Sequence, residues 1–339
     1  MTSIPWNRIN TGLLLLVLLA VIGLFASRAY GGPLDPPAAP GATDGVREPG
    51  TPISALPFTI SNPGYYYLTR NLTGVIGSNG ISIESNNVTL DLKGFQLLGA
   101  SGGGSADDGV EVANVSSVTI RNGTISGWHG SGVLFPLPLL SIGSLLYDLH
   151  VSNNFQHGIR TGDRAIIHDV TATNNGLTGI SGSRSSVIER CIVSDNQDGG
   201  IRASFNATIT GCSVMQNSGN GIEAGQGSVV RGNTVTSNGG DGVKVFAGSL
   251  VEQNTIGLNG LQVADGAGVR ATGSFNRITN NNVFSNDYGF AVADSTLTIG
   301  NYAVNNGDDY GQVLAGPVGP VLDLTNIGAA GANPHANFR

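Results

Sequence analysis

Apolar and polar positions alternate in this chain over very short runs, and the runs recur. A Gly followed by Ile or Val stands at Gly158, Gly179, Gly200, Gly221 and Gly242, each interval being 21 residues. The pattern returns at Gly268 and, followed by Phe290, at Gly289; backwards it continues less regularly through Gly132, Gly109 and Gly80. Within a unit the order is apolar, two residues, Asn or Cys, one residue, apolar, two residues, Asn, then the next Gly. Val230, Asn233, Val235, Asn238, Gly242 is one instance, and Ile188, Cys191, Val193, Asn196, Gly200 another. Alternation with period 2 predicts two or three strands of three to five residues per unit. So short a unit cannot close a core of its own, but units stacked in register bury one continuous apolar column. Helical solenoids need longer repeats, and leucine-rich repeats need a leucine lattice. The pattern therefore predicts an all-β chain, a single parallel β-helix of about ten coils with ~21-residue repeats, roughly 45–50 Å long.

The polar positions inside the repeat are as regular as the apolar ones. Asn154, Asn175, Asn196, Asn217, Asn238, Asn259 and Asn286 occupy one position in seven coils. Stacked amides can donate and accept along such a column where no strand ladder continues. Asn233, Asn254 and Asn281 form a second column, which Cys191 and Cys212 extend. These cysteines are predicted vertical neighbours, either disulfide-bonded, as export would permit, or two buried thiols filling a small site.

Composition agrees: 52 of 339 residues are Gly and 32 are Asn, the two residues that most easily take positive φ. Charged residues make up only 12% and the net charge is −7. Residues 1–29 read as an export signal: Arg8, then an apolar run from Gly12 to Phe25, then small residues around Ser27-Arg28-Ala29. The alternative is a retained membrane anchor, although the run is short for a span. Removing Arg8 and Arg28 takes 16 basic residues to 14 against 23 acidic, so −7 becomes −9. That disfavours nucleic acid or an anionic membrane as partner. The predicted organisation is a signal peptide (1–29), a Pro/Gly/Ala-rich linker (30–52), an N-terminal entry and first coil (53–108), β-helix repeats (109–310) and a C-terminal cap (311–339). The expected location is outside the cell or in its envelope.

The repeat resembles that of right-handed parallel β-helix proteins of the pectin-lyase-like superfamily, in its Asn-rich bacterial secreted form. Pro63-Gly64-Tyr65-Tyr66-Tyr67-Leu68 with Asn87-Val88-Thr89-Leu90-Asp91-Leu92-Lys93-Gly94 is similar to the N-terminal entry of that group. Asn333-Pro334-His335-Ala336-Asn337-Phe338 is similar to its C-terminal ending. The resemblance implies the right hand, and a superfamily that holds lyases, hydrolases, epimerases, adhesins and inert scaffolds.

In this fold the residue two after the repeat Gly faces outward: Glu111, Leu134, Arg160, Ser181, Arg202, Glu223, Lys244, Arg270 and Ala291. Similar enzymes bind acidic polysaccharide along the corresponding sheet. Their β-elimination needs a cation on the uronate carboxylate and a base for the C5 proton. Arg202, Glu223, Lys244 and Arg270 are the catalytic candidates, with Lys244 as base; the competing reading is a charge ladder of neighbouring strands. Arg160, Trp128, His129 and His157 are candidate substrate contacts, since tryptophan can stack on a sugar and histidine can act as acid or base. Trp128 also stands where a ladder Asn would, as a bulky closure of that column. His157-Gly158 is one fragment of the polygalacturonase motif set, whose paired aspartates and Arg-Ile-Lys are missing.

Three insertions break the repeat, at 100–108, 134–141 and 260–267, and such loops often carry function. Residues 134–141 make either an exposed apolar patch or a segment packed on the wall. No cofactor is required; Asp195, Asp198, Asp241, Asp265, Asp287, Asp308 and Asp309 either ligate Ca²⁺ or form ordinary turns. Thr171-Ala172-Thr173 and Thr234-Val235-Thr236 hint at an ice-binding array that Ile192 and Met215 interrupt. The expected partner is a polysaccharide or cell-surface glycan, bound along one face and either cleaved by a lyase (less readily a hydrolase) or simply held. The alternative is a non-catalytic adhesin or structural scaffold.

Overall fold

The computed structural model describes residues 50–102, 107–136, 141–260, 266–293 and 295–310, and beyond them the backbone of strands Gln312–Val313, Val321–Leu322 and Asn337–Phe338. The expected leader lies outside the described residues, as does the linker up to residue 49. Thr51 and Pro52, placed in the linker by composition, already belong to strand Thr51–Ile53, which pairs with Tyr66–Leu68.

Every named strand pairing is parallel, and no helix occurs among the described residues. One face of the coil is a 12-stranded sheet with one strand per turn; the other faces join in a 22-stranded sheet. Twelve strands exceed the ten turns counted from glycine. In the first of them Pro57-Phe58 stands where the repeat has Gly-Ile. At the far end Asp309-Tyr310 does so, as the bonds Phe58 N to Gly80 O and Phe290 N to Asp309 O show. Tyr310 lies flat against Phe290, with ring centroids 5.1 Å apart.

Residues one after the repeat Gly form the inner column of the 12-stranded sheet. Val110, Val133, Ile159, Ile180, Ile201, Ile222, Val243, Val269 and Phe290 are all buried. The outward column runs in unbroken register from Glu111 through Leu134, Arg160, Ser181, Arg202, Glu223, Lys244 and Arg270 to Ala291. On another face Thr171, Ile192, Ser213 and Thr234 stack in one column and Thr173, Ser194, Met215 and Thr236 in a second, so the threonine array is interrupted as the sequence suggests.

The repeat glycines are required for space rather than for positive φ. At Gly200 a Cβ would lie 2.4 Å from Val214 Cγ1 and 2.7 Å from Asn217 Nδ2; Gly179 and Gly221 are crowded alike by the next coil. Positive φ belongs instead to the residue preceding each ladder asparagine: Asn153, Asn174, Asp195, Gln216, Ser237, Leu258, Ser285 and Asn305. That left-handed residue turns the corner and aims the following amide inward.

Asn154 to Asn286 form one ladder, and Asn306 adds an eighth member. Each Nδ2 donates to the Oδ1 of the next coil at 2.8–3.1 Å, and that Oδ1 also accepts a backbone N–H. The second ladder joins Asn233, Asn254, Asn281 and Asn301 in the same sense. Cys191 and Cys212 precede it as buried free thiols, so of the two readings the unbonded one holds. The neighbouring Cys212 thiol, and then burial, push the Cys191 thiol well above its ordinary value.

Candidate functional site

The first strands of three successive coils, Ile159–Arg160, Ile180–Gly182 and Ile201–Ala203, carry the most distinctive part of the outward column. Arg160 and Arg202 stand two rungs apart, with the short Ser181 between them. The gap over Ser181 is part of a cleft of about 370 Å³, lined also by His157, Thr178 and Asp198 from the turn entering the sheet. Asp198 accepts a hydrogen bond from Thr178 Oγ1 at 3.0 Å. Burial, and then the adjacent Arg160 guanidinium, hold the His157 imidazole below its usual range, so it is neutral near pH 7. Two guanidiniums and one carboxylate leave the cleft cationic on a chain of net charge −7.

Four residues chosen for elimination chemistry are tied into ion pairs. Glu223 lies 3.5 Å from Arg202 and 3.6 Å from Lys244, while Arg270 pairs with the nearly buried Asp241 at 2.8 Å. The Lys244 ammonium also sits over the Phe246 ring at 5.8 Å. This is the charge ladder of adjacent strands, in which exposed pairs contribute about 0–1 kcal/mol each. Lys244 is thereby part of a salt-bridged row.

Of the four predicted substrate contacts, the structure brings Arg160 and His157 into the cleft and places the other two elsewhere. Trp128 is only 2% exposed, so it cannot stack on a sugar. Its indole N–H donates to Leu97 O, and its ring fills the space beside Gly74, Gly80 and Gly109 at the head of the asparagine column. His129 lies outside the cleft and stacks on Phe155, centroids 6.1 Å apart. In the 134–141 insertion Phe135 is fully buried, and residues 137–140 lie outside the described residues. So do residues 103–106 and 261–265 of the other two insertions. Of the turn aspartates, Asp241 pairs with Arg270, Asp309 accepts from Asn306, and Asp265 lies outside the described residues.

Asp198, Thr178 and Ser181 were not singled out as site residues from the sequence. The missed signal is positional: residues one and two before the repeat Gly border the same surface as the residue two after it. Reading those columns as well would have placed His157, Thr178 and Asp198 beside Arg160.

At the N-terminal end of the column a different electrostatic situation holds. Asp108 is 5% exposed and accepts from Ser131 N at 2.5 Å. Burial, with Glu111 and Asp107 nearby, raises its carboxyl to about 6. The folded state thus binds that proton more tightly than the unfolded chain, so stability is greatest below about pH 4 for this group and is lost as pH rises through about 6. Asp108→Asn keeps an acceptor for Ser131 and removes the charge. It is expected to gain about 1–3 kcal/mol at pH 7.5 and almost nothing at pH 4 in urea unfolding; an equal effect at both pH values would exclude the titration.

The model of a family described as "Right handed beta helix region" matches residues 108–256 and 206–317. Among solved structures, the Dettilon tailspike protein (gp208) aligns at 16% identity and a TM-score of 0.57, over 79% of this chain and 60% of its own. The present chain thus spans less than two thirds of that protein. The A-module of the Azotobacter vinelandii mannuronan C-5 epimerase AlgE6 aligns at 14% identity and 0.51, over 86% of this chain and 88% of its own. The corresponding module of AlgE4 gives 15% and 0.51. At these identities the likeness is one of fold. A search of curated proteins returns no match.

Proposed function

The chain belongs to the right handed beta helix family, and on that premise we propose that it is an exported glycan-binding protein whose cleft at Arg160–Ser181–Arg202 holds an acidic group of a polysaccharide. The observation that carries this reading is the missing rung. Ser181 interrupts the side-chain row and leaves a space with a guanidinium on either side. Arg160 has no acidic partner among the described residues, and Arg202 reaches only Glu223, which Lys244 shares. Guanidinium groups bind carboxylates through charge-assisted, often paired hydrogen bonds. Thr178 and Asp198, whose one shared proton lies between them, add acceptor capacity for hydroxyls at the same place. One structural neighbour is named for its action on mannuronan, and another is a tailspike.

The reading is one of binding rather than cleavage, because the base that elimination would need is not offered by the paired Lys244. In native gels containing polygalacturonate or alginate the protein is expected to be retarded, and in dextran gels not. Arg160→Ala should weaken binding to the acidic polymers roughly tenfold to a hundredfold, the worth of one charge-assisted contact. Lys244→Ala should leave binding within about twofold. Retardation by dextran equal to that by the acidic polymers, or an unchanged Arg160→Ala, would remove the proposal.

A further inference from the structure

Two further grooves flank the cationic cleft, one at each edge of the 12-stranded sheet. On the turn entering the sheet, a groove of about 310 Å³ is bordered by Phe155, Asn153, Asn174, Gly176 and Gln197. On the turn leaving it, a more open groove of about 560 Å³ is bordered by Phe205, Asn206, Gln226, Gly227 and Gly248, with Arg184 at its rim. The chain segments differ, yet the surfaces have the same composition: an exposed phenyl ring, amide side chains and a glycine floor. Phe155 is 75% and Phe205 53% exposed. The floor is held bare by geometry. A Cβ at Gly176 would lie 2.1 Å from Phe155 O, and Gly227 combines φ +73 with a Cβ position 2.5 Å from Asn206 Oδ1.

The residues lining the Phe155 groove are uncharged, with the His129 ring stacked on Phe155 from outside that lining, and Arg184 of the other groove is paired with Asp163 at 2.8 Å. A ligand matched to such a surface is uncharged, has one apolar face for the ring, and carries hydroxyl or amide groups for Asn and Gln, which both donate and accept. A pyranose ring has this combination. A second copy of the chain does not fit as well, since two small separated grooves do not make the contiguous apolar patch of a stable interface.

Position links the grooves to the cleft. Phe155 precedes Arg160 in one coil and Phe205 follows Arg202 two coils on, so the two rings lie at opposite edges of the sheet, about 10 Å apart along the axis. We propose that the Phe155 and Phe205 grooves are subsites for uncharged sugar rings, and that the glycan crosses the sheet diagonally with its acidic residue bracketed by neutral ones. This rests on the reading of the central cleft as an anion site and narrows its ligand to an acidic heteropolysaccharide.

The test is equilibrium binding of the full chain to four labelled polymers. Hyaluronan alternates a uronate with an uncharged amino sugar, deacylated gellan brackets a uronate with neutral sugars, polygalacturonate is all uronate, and dextran is neutral. Hyaluronan or gellan should bind at least tenfold more tightly than polygalacturonate. Phe155→Ala and Phe205→Ala should each remove most of that advantage and leave polygalacturonate binding unchanged. Phe275→Ala, which removes a ring 78% exposed that borders neither groove, should change nothing; circular dichroism checks that the variants fold. Polygalacturonate binding as tightly as both mixed polymers, or mixed-polymer binding that ignores both phenylalanines, overturns the inference. If Arg160→Ala still weakens polygalacturonate binding in that case, the central cleft stands and only the flanking subsites fall. Absence of binding to all three acidic polymers overturns both.

Discussion

Replacing Asn217 by leucine is expected to lower the free energy of unfolding by about 4–6 kcal/mol, although leucine is apolar, of similar size and enters a buried site. The reason lies in the partners left behind. Asn217 Oδ1 accepts from both the backbone N and Nδ2 of Asn196, and its own Nδ2 donates to Val193 O, Met215 O and Asn238 Oδ1. Leucine strands the Asn196 N–H and one amide hydrogen, and leaves two carbonyls without that donor. Each buried group that loses its partner costs about 1–3 kcal/mol. The neighbouring coils cannot relax to meet them, because the Gly200 contact with Asn217 leaves no slack. Urea unfolding measures the loss; a change under about 1 kcal/mol would mean that the ladder decorates the corner without holding it.

Deletion of residues 201–221 is expected to leave a cooperatively folding protein, whereas deletion of residues 201–210 is expected to abolish the fold. The longer deletion joins Gly200 to Ile222 and recreates the Gly-Ile start of a coil. Asn196 then meets Asn238, Cys191 meets Asn233, and Ile180 packs on Ile222, so each column continues with one member fewer. A stacked array loses roughly one repeat and one interface in such a change. The shorter deletion leaves about half the residues needed to travel round the coil, and no register of the remainder can bring strands Ile180–Gly182 and Ile222–Ala224 the one coil apart that they need. Thermal melts followed by circular dichroism separate the outcomes, and similar unfolding of both variants would contradict stacked 21-residue units.

The parts of this architecture that were legible in the sequence are those that repeat. The interval between glycines gave the coil length, and counting two past each glycine located the outward row that the register reproduces from Glu111 to Ala291. The cause of the glycines was not legible. Positive φ was the natural inference from composition, but crowding against an amide 17 residues further on, as between Gly200 and Asn217, shows only once the chain is coiled and stacked. Likewise Trp128 could be assigned to the surface or the column only by knowing that Gly74, Gly80 and Gly109 open a space for its ring. The pairing of Lys244 with Glu223 follows from adjacency in one row and was readable as a ladder. The cleft is half readable: Arg160, Arg202 and His157 stand out as candidates, while Asp198 reads as either a calcium ligand or an ordinary turn residue. What hid it is that the site is made by an omission, the short side chain of Ser181, and a serine in a serine-rich wall attracts no notice.

The eight-membered amide row also gives the molecule a sense of direction. Its first Oδ1, on Asn154, is taken by Trp128 N, and its last Nδ2, on Asn306, is taken by the Asp309 carboxylate. Every intermediate coil shows acceptors to the preceding neighbour and donors to the following one. The two surfaces of any cut are therefore complementary and not alike. Two cut coils can mate head to tail, but two identical surfaces would set donor against donor or acceptor against acceptor. After Asn306 it is Asp309 that supplies the acceptor, so the last donor of the row is filled by a residue three positions further along the same chain. Growth of such a rod, by gene duplication or by association, is therefore a one-way process, in which each added coil must bring its acceptors to the donors already in place.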